Sequence, residues 1–193
     1  MAKDAIYNGE REVKTFADLA HGTDVLIKKS EENEKGSYYT VMSSILLTAF
    51  TFEAYLNHIG AERFEYWEQI ESIKVLDKYT VLCKELIVNP DYSRRPYQTL
   101  KSLFKFRNAI AHGKSKIIKD TKAVSSSDDP YKHAPKTEWE EFCELKNAKR
   151  AKEDIDEIIT ELHRAAGLGD YPLIQGMTIS SISIKQKIAQ QNV

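Results

Sequence analysis

Five apolar residues, Ile45, Ala49, Phe52, Leu56 and Ile59, recur at alternating spacings of four and three. That alternation keeps them on one face of an α-helix and predicts a helix over residues 38–67 whose stripe must be buried. Leu46, Phe50, Glu53 and Asn57 form the stripe beside it, so two polar residues sit at the edge of the buried face. Gly60 weakens such a helix without having to end it. A helix this long and apolar along one side needs other amphipathic helices to cover it.

The rest of the chain supplies them. Residues 14–34 carry Phe16, Leu19, Ala20, Val25, Leu26 and Ile27 in a looser helical pattern around Gly22. A third helix is predicted over 70–88, ending before Asn89 and Pro90, where the proline ring disfavours helical geometry in the residue before it. A fourth runs from Pro96, tolerated in a first turn, to His112, with Gly113 placed to stop it. Residues 114–136 read as a loop around Ser125–Pro130. Thr137 and Glu140 have the spacing of a capping box, opening a last helix that runs to about Ala166 and stops near Gly167 and Gly169. Met177–Ile184 is rich in β-branched residues but slips in its alternation, which fits a short strand or an extended arm. The fold expected is all-α, of about five helices. It divides into an N-terminal helical segment over 1–36, a main helical region over 37–167 and a tail or arm over 168–193.

A chain of 193 residues suits one domain with a real core. Its two cysteines, Cys83 and Cys143, lie far apart and near no histidine at ligand spacing, which argues against a Cys-based zinc site or a disulfide scaffold. The first residues hold no apolar targeting run and no stretch has the length of a membrane span, so the expected compartment is the cytoplasm, away from membranes. The net charge of −1 conceals an asymmetry. Residues 94–122 hold nine Lys or Arg (94, 95, 101, 105, 107, 114, 116, 119, 122) against Asp120 alone, and residues 138–163 hold nine acids against four bases. Two solvated helix faces would read this way; so would a basic stripe that meets a polyanion.

Chemistry concentrates in Arg107-Asn108-Ala109-Ile110-Ala111-His112-Gly113, at the end of the basic fourth helix. As bare spacing, an arginine five residues before a histidine says little; its weight comes from the asparagine after the arginine, the helix end, the glycine stop and the lysines around it. In these features, and in the preceding helix from Ser44 through Glu53 to Asn57, the sequence resembles the HEPN superfamily (higher eukaryotes and prokaryotes nucleotide-binding domains) over roughly residues 37–166. The resemblance implies an up-and-down helical bundle, a homodimer with two copies of the motif facing each other, and metal-independent cleavage of RNA, without a cofactor. It implies toxin, antiphage-defence or RNA-processing settings, with an antitoxin or other regulatory protein as a further partner. Toxin members regulated by a minimal nucleotidyltransferase carry a tyrosine two residues after the histidine; Lys114 stands there in this chain.

The residue types suit that chemistry. Cleavage by the adjacent 2′-hydroxyl needs a proton-transfer group that works near neutral pH, the role assigned to His112. It also needs a fixed positive charge on the phosphorane-like transition state, the role assigned to Arg107, whose planar fork cannot lose its proton. Asn108, four residues before His112, is placed to orient the imidazole or bind phosphate. Lys105, Lys114 and Lys116 are candidate RNA contacts, or solvated lysines. Glu53 and Asn57 are either buried polar partners or helpers, and a buried Glu53 would take Arg107 as its counter-ion. Five helical residues turn through roughly 140° and rise about 7.5 Å, so Arg107 and His112 share a site only if the last turn unwinds or a second subunit joins. The alternatives are a non-catalytic module binding nucleotide, RNA or protein, and a purely structural dimerisation protein; Arg107 and His112 also read, by themselves, as a surface arginine and a C-capping histidine.

Overall fold

The structure is a computed structural model that describes residues 4–33 and 35–184. It is mostly helical. Strand β1 (Ala5–Arg11) is followed by helices α1 (Thr15–Glu32), α2 (Tyr38–Arg63), α3 (Trp67–Ile70), α4 (Val75–Glu85), α5 (Gln98–Ala111), α6 (Glu138–Phe142) and α7 (Leu145–Ala165), then strand β2 (Thr178–Ile184). Helix α2 is the centre of the packing. Its whole stripe, Ile45, Ala49, Phe52, Leu56 and Ile59, is fully buried, and α1, α4, α5 and α7 all pack on it. Phe16 of α1, Tyr79 and Leu82 of α4, Leu100 and Leu103 of α5, and Ile155, Ile158 and Leu162 of α7 close the core around that stripe. Among the described residues no helix is long and apolar enough to cross a membrane.

The capping box is present, with Thr137 accepting from the Glu140 backbone N–H and the Glu140 carboxylate accepting from the Thr137 N–H. Gly167 takes a left-handed φ of 76°, and the N–H of Leu168 reaches back to the His163 carbonyl, so α7 ends where its glycine stands.

Four expectations need correction. The chain has seven helices among the described residues rather than about five. Helix α2 stops at Arg63, because the chain turns there to lay the Trp67 ring against Gly60, where any side chain would collide with it. The helix expected from residue 70 starts at Val75 and ends at Glu85, where Ile87 takes φ 58° and the Val88 N–H closes on the Cys83 carbonyl. The last helix is broken at Cys143 and Glu144, where the Asn147 side-chain amide donates to the Phe142 carbonyl and caps α6.

The tail's strand is real, and it has a partner the sequence reading placed in a helical segment. β2 pairs antiparallel with β1, Ala5 opposite Ile184 and Arg11 opposite Thr178, so the first and last described elements form one exposed ribbon.

Candidate functional site

Arg107 lies one turn beyond Leu103 and Phe104 on α5, at the rim of that helix's buried face, and is partly covered. The neighbouring stripe of α2 lies beside it. Phe50 puts its ring face 5.8 Å from the guanidinium carbon, and Glu53 Oε2 accepts from Arg107 Nη2 at 3.0 Å. Arg107 Nη1 donates to Asn108 Oδ1 at 3.1 Å. The remaining nitrogen, Nε, is buried without a hydrogen-bond partner.

A residue missing from the sequence reading completes the cluster. Lys78 of α4 is 2% exposed; it donates to Asn57 Oδ1 at 2.8 Å and stands 3.6 Å from Glu53 Oε1. A buried ammonium is tolerated only with partners such as these. The signal was legible: Val75, Lys78 and Leu82 recur at spacings of three and four, so the lysine sits in the apolar stripe of α4 and needs an anion across from it. Two cations therefore share one carboxylate, which leaves the cluster with an excess positive charge.

That charge borders a cleft of about 560 Å³ lined by Glu53, Arg107, Asn108 and His112, with Phe104 and the segment Ser72–Asp77 as its other walls. The volume suits a nucleotide-sized group. His112 follows the last residue of α5 with φ −114° and ψ 17°, outside helical geometry, although its N–H still bonds to the Asn108 carbonyl at 2.9 Å. Leaving the helix at this residue lets its side chain border the same cleft as Arg107. The imidazole is exposed and makes no hydrogen bond or ion pair among the described residues.

The other candidates fall elsewhere. Asn108 lines the cleft, but its side-chain Oδ1 is engaged by Arg107 rather than by the His112 ring. Asn57 belongs to the Lys78 end of the cluster. Lys105 and Lys116 border a different cleft, beside α6, where Lys105 is paired with Glu138. Lys114 is exposed in the loop.

The basic and acidic segments lie partly against one another. Arg95 pairs with Glu153 and Asp154, Lys105 with Glu138, and Tyr97 donates to Glu161. The basic stripe is thereby reduced to the cations left over. Lys101, Lys114, Lys116 and Lys119 have no ion-pair partner among the described residues.

The chain matches no model of a known protein family, and no curated protein and no solved structure matches it either.

Proposed function

We propose that the protein is a metal-independent endoribonuclease of the HEPN type, folded as an up-and-down helical bundle and acting as a homodimer. The observation that carries this reading is the convergence of Arg107, Asn108 and His112 on one open cleft, at whose wall the Glu53, Arg107 and Lys78 cluster holds one positive charge to spare. Glu53 and Phe50 hold the guanidinium, with Nη1 turned toward Asn108. His112, unencumbered and exposed, is the group that moves protons: as base it takes the 2′-hydroxyl proton, and as acid it returns one to the departing 5′-oxygen. Arg107 stabilises the charge that builds on the phosphoryl oxygens between those two transfers. The balance is a bond from the 2′-oxygen to phosphorus formed and the bond to the 5′-oxygen broken, leaving a 2′,3′-cyclic phosphate. A second copy supplies the other histidine, so that base and acid come from different chains.

Purified protein incubated with single-stranded RNA in EDTA should release products ending in 2′,3′-cyclic phosphate, and Arg107→Ala and His112→Ala should not. Cutting by both variants at the wild-type rate refutes the assignment.

A second reading has its own support. Arg107 donates to both Glu53 and Asn108, as an arginine with a structural post does. On that reading the module binds RNA, nucleotide or protein without cutting, and RNA emerges intact from the same incubation.

A further inference from the structure

The face of α5 turned away from the Arg107 cleft carries a second feature. Two clefts, of about 460 and 430 Å³, adjoin there and share Ser102, Lys105 and Phe142 in their walls. Together they make one groove between α5 on one side and α6 with the start of α7 on the other. Lys101 and Arg150 border it at one end, Lys105 at its middle, and Lys116 at the other end. Phe142 and Trp139 are half-buried in its walls. Glu138 is the single acid among the lining residues and pairs with Lys105, while Arg150 Nε stands 3.9 Å from Asp154. A phosphate reaching either cation exchanges for a carboxylate there, whereas Lys101 and Lys116 have no ion-pair partner among the described residues. The hydrogen bond and charge of Lys105, with Lys116 beyond it, hold the Glu138 carboxyl below its usual range, a sign of the local positive field.

We infer that this groove is a non-catalytic anchoring site for single-stranded RNA, with bases stacking on Trp139 and Phe142 and phosphates on Lys101, Lys105, Lys116 and Arg150. Alternating flat apolar surface and cations is what a single strand offers and needs, since every base has a face and every linkage a charge. Lys101 and Lys105 are one helical turn apart, about 6 Å along α5, comparable with the step between neighbouring phosphates. The groove also gives the basic segment a purpose its position otherwise lacks, because these cations do not border the Arg107 cleft. The choice of RNA over DNA as the strand rests on the ribonuclease reading; the groove itself does not.

Tryptophan emission tests it directly. Of the two tryptophans, Trp67 is 1% exposed, so a strand bound in the groove reports through Trp139. Titrating full-length His112→Ala protein with a 12-nucleotide oligouridylate should quench that emission, and Trp139→Phe should lose most of the signal. Trp139→Ala, whose binding is read from the anisotropy of a fluorescein-labelled oligouridylate because the reporter ring is gone, should bind about tenfold more weakly, the order of one stacked base. Lys101→Gln/Lys105→Gln/Arg150→Gln should flatten the dependence of log affinity on log salt by about 2, close to −0.7 per lost phosphate contact on single strands. All these variants should keep a wild-type circular dichroism spectrum, since the altered side chains lie at the surface or groove wall.

Absence of binding at low salt, or binding that inorganic polyphosphate abolishes and Trp139→Ala leaves unchanged, overturns the proposal. Binding with no cleavage by wild-type protein supports the groove and removes the ribonuclease reading. Cleavage that depends on His112, with no Trp139 response, removes the groove alone.

Discussion

Asp154 of α7 and Glu53 of α2 are both carboxylates that reach a cation in or next to α5, yet they are surrounded differently. Asp154 is 1% exposed and saturated: Arg95 Nε donates to its two oxygens at 2.8 and 3.1 Å, Arg95 Nη2 stands at 2.7 Å, and Thr99 donates from beneath. Glu53 is partly open, has one close partner in Arg107, and faces a second cation at 3.6 Å. Arg107 in turn keeps a buried nitrogen with no partner, beside a cleft. A saturated buried carboxylate fastens two elements together and has nothing left for a ligand. An undersaturated one, outnumbered by cations at the wall of a cleft, holds a positive side chain in place while leaving charge to spare.

The comparison breaks most visibly at His112. His112→Ala should lower RNA cleavage by about 10²–10⁴-fold. Its urea-unfolding free energy should stay within about 0.5 kcal/mol of wild type, because the side chain is exposed and unbonded. A large loss of stability would mean that the site, too, is a fastener.

Asp154→Ala is the counterpart. It strands Thr99 in the core and releases Arg95, and should cost about 2–3 kcal/mol in urea unfolding, with Arg95 recovering part of its loss in water. Cleavage per folded molecule should not change. If cleavage per folded molecule falls while stability holds, the two roles have been exchanged.

A pair of neutral isosteres sharpens the contrast. Glu53→Gln should strengthen inhibition by inorganic phosphate severalfold at low salt, since the carboxylate no longer offsets Arg107 and Lys78. It should cost about 1–3 kcal/mol, because the buried Lys78 keeps Asn57 alone. Asp154→Asn should also lose stability but leave phosphate inhibition unaltered. Equal changes in phosphate inhibition from the two would end the distinction.

The smallest effect is one of pH. His163 Nδ1 lies 3.1 Å from the Tyr55 hydroxyl, and burial, with the His58 imidazole near it, holds the His163 pKa below its ordinary 6.5. In that window the unfolded chain binds more protons than the folded one, so stability falls as pH drops below about 6.5 and recovers toward neutrality. Urea midpoints between pH 5 and 7.5 should show this slope, and His163→Gln, which keeps an acceptor for Tyr55, should flatten it. An unchanged slope in the variant would assign the effect to other groups.

Much of this was legible in local pattern. The α2 stripe, the Thr137–Glu140 capping box, the stop at Gly167 and the placement of Arg107 and His112 at a helix end all depend on residues within a turn or two of each other. The Glu53–Arg107 pair was legible as well, because a carboxylate at the edge of a buried stripe needs a cation. Lys78 was legible only to a reader who searched apolar stripes for their exceptions.

What the fold alone decided has long range in common. β1 is a strand because β2 lies beside it; Ala5–Arg11 has too weak an alternation to announce itself, and its ladder partners are over 160 residues away. Gly60 ends up beneath Trp67, Asn147 caps a helix the composition did not break, and the acidic segment comes to lie against part of the basic one, at Arg95 and Lys105. A side chain's periodicity records which way it faces on its own element, since that is fixed by bonds along the chain. Which other element it meets there is set by the packing of all of them at once, and no local spacing encodes that.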